Sequence, residues 1–317
     1  MFSSSPESVA DKVSLDNLEQ HVHFLSSLSP RRSFENVESL NSAADYITKT
    51  LTSYGYEPHY QKYKVDGREY KNIIVSLNPS DQPKLIMGAH YDSHENTPGA
   101  DDNASGVSGL LELARISKQQ ESQIPRPVDF VFYTLEEPPA FRTQNMGSYV
   151  HAQSLKDKNE KIDLMVSIEM IGYFNNAKGS QHYPLPQLAW WFPNQANFIA
   201  LIGKLDQWMM MRNIKTAFAN HTTLSVESLN APRKIKGIDF SDHLNYWNNH
   251  QPAIMVSDTS FFRNSHYHEP TDTPETLNYK KMAEVVSGLY GLVKEPRQFS
   301  NNESFSTKRS TSEQSLK

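Results

Sequence analysis

Four short apolar runs constrain the fold of this 317-residue chain more than any other feature. They are LIMGAH at 85–90, VDFVFYTLEE at 128–137, IDLMVSIEMI at 162–171 and PAIMVSD at 252–258. Each is nearly continuous rather than alternating, the pattern of a strand buried on both faces. Each also finishes beside a histidine or an acid: His90, Glu137, Glu169 and Asp258. Segments of helical spacing separate the runs. Strands alternating with helices predict an α/β class: a mixed, mostly parallel central sheet, helices on both faces, and a single domain. Parallel strands deliver their C-terminal ends to one edge of a sheet, so those four groups are expected to gather there.

The stretch that follows the first run carries the densest chemistry. His90, Asp92, His94, Glu95, Asp101 and Asp102 fall between the strand and a helix predicted from about Asn103. Buried carboxylates need a cation or hydrogen-bond donors, and imidazole supplies the nitrogen that zinc prefers. A dinuclear site needs about two histidines, several carboxylates and one carboxylate shared between ions ~3.5–4 Å apart. Glu136-Glu137 is a second telling pair, because neighbouring side chains at a strand end point different ways. One could ligate while the other serves as the base for a metal-bound water; spacing alone does not say which. His94, Glu95 and Asp101 are expected in a solvated loop or helix cap. Asp242 and His243 read equally as a helix cap or as support for the site. Arg263 and Tyr267 read equally as surface packing or as groups that meet substrate.

The remaining chain supports this framework. Leu15, Leu18, Val22 and Leu25 give a helix over about 14–28, and a second runs from Val37 to Tyr54, ending at Gly55. Asp66-Gly67 between two β-rich segments predicts a hairpin. Helix is expected at 147–155 and again from Asn197 to Arg212. A closing helix is expected with Thr273 as N-cap and Pro274 in its first turn. Residues 172–195 form an irregular excursion rich in aromatics, expected to be core or lid rather than a specificity pocket. Residues 1–13 are expected to be flexible, 14–296 to form the domain, and 297–317 to be a disordered tail. The net charge of -5 argues against a nucleic-acid surface, and no run approaches the ~20 apolar residues of a membrane span. With no cysteine, any metal must sit on nitrogen and oxygen. The N-terminus lacks a leader pattern, which predicts a cytoplasmic chain; a secreted or periplasmic chain trimmed of its leader would look the same.

These blocks carry a resemblance. His90-Tyr91-Asp92, then 98–106 (PGADDNASG), Leu135-Glu136-Glu137, Ile168-Glu169, Ser241-Asp242-His243 and 268–273 (HEPTDT) follow in the order of a zinc metallopeptidase family. That family includes the co-catalytic zinc aminopeptidases, glutamate carboxypeptidase and the single-zinc glutaminyl cyclases. The resemblance covers roughly residues 15 to 295. It implies two zinc ions, one on His90 and Glu169, the other on Glu137 and His268, with Asp102 bridging. It implies Glu136 as general base, Asp92 as the partner that orients His90, and a cis peptide at Asp102-Asn103. Glu169 stands where many family members carry aspartate; one methylene longer, it could still ligate from a strand set slightly further back. The activity implied is hydrolysis of a peptide or aminoacyl substrate, removing an N-terminal residue. Two alternatives stand beside it: a single-zinc acyltransferase of the glutaminyl cyclase kind, and a peptidase-like binding domain without catalysis.

Overall fold

The computed structural model describes residues 8–300. Strands β1 (His59–Val65) and β2 (Arg68–Leu77) form the expected hairpin. Asp66 and Gly67 turn it at φ 50° and 78°, as a two-residue turn of matching twist requires. The interior of the sheet is parallel: β3 (Lys84–His90) lies between β4 (Val128–Tyr133) and β5 (Ile162–Glu169), and β5 pairs with β8 (Ala253–Ser257). Beyond it, β6 (Phe198–Lys204) runs antiparallel to β8 and parallel to β7 (Ser225–Ala231). The eight strands form one mixed sheet in the order β1-β2-β4-β3-β5-β8-β6-β7.

Side-chain alternation divides the core in two. Leu85, Met87, Val166, Ile168, Ile254 and Val256 face one side, under α1 (Leu15–Ser27), α2 (Val37–Ser53), α3 (Gly106–Gln119), α5 (Trp208–Ala219) and α7 (Tyr279–Lys294). Ile86, Val131, Met165, Ala200 and Met255 face the other, where α4 (Gly147–Asp157) and α6 (His243–Asn248) contribute Leu155, Tyr246 and Trp247. Each fully buried Leu, Ile, Val or Met among them contributes about 1.5–3 kcal/mol. Gly88 is required on this second face, since a Cβ there would lie 2.3 Å from the Tyr133 ring. That ring's hydroxyl bonds Tyr246 Oη at 2.7 Å and so ties the sheet to α6.

Several boundaries differ from expectation, each for a physical reason. Residues 198–204 are strand β6 rather than helix, and α5 starts only at Trp208. Phe198–Ile202 is a continuous apolar run whose periodicity does not separate buried strand from buried helix. Strand β4 ends at Tyr133, short of the glutamates. The helix expected at Asn103 begins at Gly106, after a π-type turn over Ala100–Ser105. The closing helix is capped by Asn278, whose side chain accepts from the Lys281 N–H; Thr273 only precedes a short 3-10 turn.

Both terminal boundaries also move. Ala10–Lys12 form a 3-10 turn and Val13 is buried, although 1–13 was expected to be flexible. Phe299, expected in the tail, is fully buried. Its N–H and that of Ser300 donate to Asp163 at 3.0 and 2.8 Å. Asp163 is also paired with Arg126, whose guanidinium lies 5.1 Å from the Phe299 ring centroid. The rest of both expected segments, 1–7 and 301–317, lies outside the described residues.

Candidate metal centre

Four parallel strands deliver their C-terminal ends to one edge, and alternation decides what each presents there. His90 follows Ile86 and Gly88 on one face of β3, and Glu169 follows Met165 and Ser167 on the same face of β5. The two arrive together, with His90 Nε2 3.3 Å from Glu169 Oε2. Asp102 enters from the π-type turn, where it and Asn103 leave helical φ/ψ and the bond between them is cis. Its Oδ1 lies 3.5 Å from His90 Nε2, and its Oδ2 lies 3.2 Å from His268 Nε2. Glu137 Oε2 completes the set, 3.3 Å from His268 Nε2. His90, Asp102 and Glu169 thus form one group, and Asp102, Glu137 and His268 a second, with Asp102 common to both.

These separations suit metal ions. Around a tetrahedral ion with bonds of ~2.0–2.1 Å, neighbouring ligand atoms stand ~3.3–3.4 Å apart. Hydrogen bonding does not account for the cluster, because His90 Nε2 and Glu137 Oε1 are buried without a hydrogen-bond partner among the described residues. The electrostatics agree. Burial, with Asp102 beside it, pushes the Glu137 carboxyl up to about 8. Burial likewise raises Glu136 well above the carboxylate range, and raises Glu169. For His268, burial alone would lower the imidazole, but the Asp102 and Glu137 carboxylates against it outweigh burial and hold it at about 10. Carboxylates packed this densely hold protons unless a cation replaces them.

Glu136 belongs to neither group. Its Oε2 lies 3.9 Å from His90 Nε2, beside the cluster. The separation of Glu136 from Glu137 comes from a turn, with Leu135 at φ 59°, and not from strand alternation as expected. Asp92 fixes that turn: its carboxylate accepts from the N–H groups of Glu136 (3.1 Å) and Glu137 (3.0 Å). Its Oδ1 also faces His90 Nδ1 at 3.4 Å. One buried carboxylate therefore positions three of the residues.

Other supports were not foreseen in these roles. Asp272 accepts from the N–H groups of Asp101 (2.9 Å) and Asp102 (3.1 Å), fixing the backbone at Asp102. Ser241 Oγ donates to Glu169 Oε2 at 2.6 Å. Arg32, fully buried, donates to the carbonyls of Tyr91, Leu25, Pro98 and Gly99 and so fixes the ends of the loop after β3. Asp272 and Ser241 were visible as members of their motifs; nothing near Arg32 in the sequence marks it. Asp101, expected in a solvated loop, is instead buried, accepting from Gly172 N–H and Asn264 Nδ2. His94 stacks on the His268 ring at 4.1 Å, and Tyr267 stacks on it at 3.8 Å. Glu95 is exposed, as expected. Asp242 is buried at the start of α6, where burial pushes its carboxyl up to about 7. Arg263 is turned inward, donating to Gln181 and the Phe198 carbonyl.

A cavity of about 280 Å³ opens directly from the cluster. Its floor is a register row: Glu169 pairs with Ser257, Ser257 with Ala200, and Ala200 with Glu227. Phe198, Ile202, Leu229 and Met255 extend that floor on the same face. Tyr183 and Phe192 of the aromatic excursion form part of its wall, so that segment lines the pocket it was expected merely to cover.

Comparison with known proteins follows the same lines. The profile of peptidase family M28 matches residues 72–293. The protein YfbL of Escherichia coli is 47% identical over 287 residues, covering 88% of this chain and 87% of its own length. A probable leucine aminopeptidase of Trichophyton verrucosum is 26% identical over 314 residues, covering 94% and 77%. The solved glutaminyl cyclase of Bacteroides thetaiotaomicron shares the fold, with a TM-score of 0.65 at 17% identity over 90% of this chain and 99% of its own. A family profile spanning most of the domain and a paired histidine-carboxylate cluster at the sheet edge lead to one statement: this chain belongs to peptidase family M28.

Proposed function

We propose that the protein is an aminopeptidase with a paired zinc site, releasing apolar N-terminal residues. The observation that carries this reading is the sharing of Asp102 between two ligand groups, at separations of 3.2–3.5 Å. His90, Asp102 and Glu169 would hold one ion, and Asp102, Glu137 and His268 the other. Bound there, zinc acidifies water and polarises a carbonyl. The chain's own residues do the rest. Glu136, beside both groups but in neither, takes the proton of the attacking water and passes it to the leaving amine nitrogen. Burial raises its affinity for a proton, which suits a base that takes one and keeps it until the leaving amine forms. Asp92 keeps that glutamate and His90 in register through the contacts described above. Ser241 holds the longer Glu169 side chain in place.

The cavity supports an apolar N-terminal side chain. Phe198, Ile202, Leu229 and Met255 give its floor an apolar stretch, and Phe192 adds to the wall. The leucine aminopeptidase among the relatives agrees with that preference. The test is a panel of N-terminal Leu, Phe, Asp and Lys peptides, their N-acetylated forms, and N-blocked peptides with free C-termini, with and without chelator. Chelator-sensitive release of Leu and Phe from free N-termini is expected. Turnover of the N-blocked peptides, or cyclisation of N-terminal glutamine without peptide hydrolysis, would overturn the proposal.

A further inference from the structure

One wall of the cavity is an aromatic ladder. Phe141 meets Phe240 at 5.8 Å, Phe240 meets Phe261 at 6.0 Å, and Phe261 meets Tyr267 at 5.4 Å. Cations pack against its rings. Arg142 lies 5.2 Å from the ring centroids of both Phe141 and Phe240, and Lys236 Nζ lies 4.6 Å from that of Phe261. Arg233 and Lys234 join them around an adjoining concavity that shares Lys236 and Phe240 with the first. The only carboxylate lining that second concavity is Asp239, which is paired with Arg142 and with Arg233. Lys236, exposed at the rim of the main cavity, has no ion pair among the described residues. The one acid on the far floor, Glu227, is already met by Lys215 at 3.6 Å.

The cluster that would hold the reacting bond thus lies at the head of the cavity, and one unpaired cation, Lys236, stands on its rim. A short peptide whose N-terminal bond lies at the cluster ends in a carboxylate directed towards that rim. The reach also matches. His268 stacks on Tyr267, Tyr267 touches Phe261, and Phe261 carries Lys236, so only three short contacts separate the cluster from the cation. An extended peptide advances ~3.3 Å per residue and covers that span in about four residues or fewer.

We infer that this cavity selects peptides bearing a carboxylate within about four residues of the N-terminus, received by Lys236 with Arg142 beside it. This rests on the aminopeptidase reading and narrows its substrate class to short peptides, or to longer ones with an early Asp or Glu. The carboxylate is the shared chemistry, and the assay separates its two sources. The full-length enzyme is assayed for kcat/KM on Leu-Gly-Gly-Gly against its C-terminal amide, and on Leu-Gly-Gly-Glu-amide against Leu-Gly-Gly-Gly-amide. The first pair reads a chain terminus and the second a side chain.

A preference of roughly tenfold for the carboxylate in at least one pair is expected, the size of one charge-assisted hydrogen bond at a partly exposed site. Raising the ionic strength should erode it through KM, because the cation is at the rim. Lys236→Gln should bring the ratio close to one, and Lys236→Arg should restore it. Equal turnover of acid and amide in both pairs overturns the inference while leaving the aminopeptidase reading intact. So does a preference unchanged by Lys236→Gln. Hydrolysis of none of these peptides overturns the aminopeptidase reading, and the inference with it.

Discussion

Shortening Glu169 to aspartate tests the geometry of the cluster at its least conventional position. Glu169 Oε2 stands 3.3 Å from His90 Nε2 and accepts from Ser241 Oγ at 2.6 Å. Removing one methylene, with C–C bonds of ~1.5 Å, draws the carboxylate back by roughly 1.3 Å. Strand β5 does not follow, because Ser167 pairs with Gly88 on one side and Glu169 with Ser257 on the other. A retreat of that size exceeds the ~0.2 Å tolerance of a metal–ligand bond several-fold. It also stretches the serine contact past hydrogen-bond range. Losing charge-assisted contacts of about 1.5–3 kcal/mol corresponds to a roughly 10–100-fold weaker site. Competition with a chromogenic chelator reads this directly. Glu169→Asp should retain one ion at wild-type affinity and hold the other 10–100-fold more weakly. Two ions bound as tightly as in the wild type would refute the placement of Glu169 in the first group.

Glu136→Gln should keep both ions, since Glu136 lies outside both ligand groups, yet lose about three or more orders of magnitude in kcat with the general base removed; near-normal turnover would show that the proton goes elsewhere. Metal-free protein should lose stability as pH rises from about 5 towards 9. Glu137 is raised to about 8 and His268 to about 10, so the folded state holds more protons than the unfolded chain across that window. Thermal melts in chelator should therefore fall with pH, and a flat or rising profile would contradict the crowding of charges at the cluster. Asp163→Asn should cost about 3 kcal/mol or more by leaving the buried Arg126 without its counter-charge. Urea unfolding measures this, and a loss below 1 kcal/mol would mean that the Phe299 anchor is dispensable.

The sequence displayed some of this plainly and hid the rest. The parallel interior was legible because β3, β4, β5 and β8 are apolar runs closed by polar groups, and one register suffices to gather their ends. Strand β6 reads equally as helix because Phe198–Ile202 is apolar throughout and carries no alternation to reveal its period. Strand β7 is not legible because the larger apolar residues of SVESLNA, Val226 and Leu229, stand three apart, off the two-residue period of a strand. Each residue proposed for the cluster falls within its reach, and the motif blocks signalled all of them. The interactions that hold them were less visible. Arg32 reaches the loop across some sixty positions, and it does so through backbone carbonyls, which any sequence supplies. The cavity was hidden for a similar reason: its floor exists only once β6 and β7 are placed beside β8.

The central claim is that two ions share Asp102, and anomalous diffraction from zinc-equilibrated crystals of the full chain tests it most directly. The account predicts two peaks ~3.5–4 Å apart, one near His90 and Glu169, the other near Glu137 and His268, with a different Asp102 oxygen turned to each. A single peak at full zinc occupancy, or two peaks with Asp102 turned away from either, would contradict it.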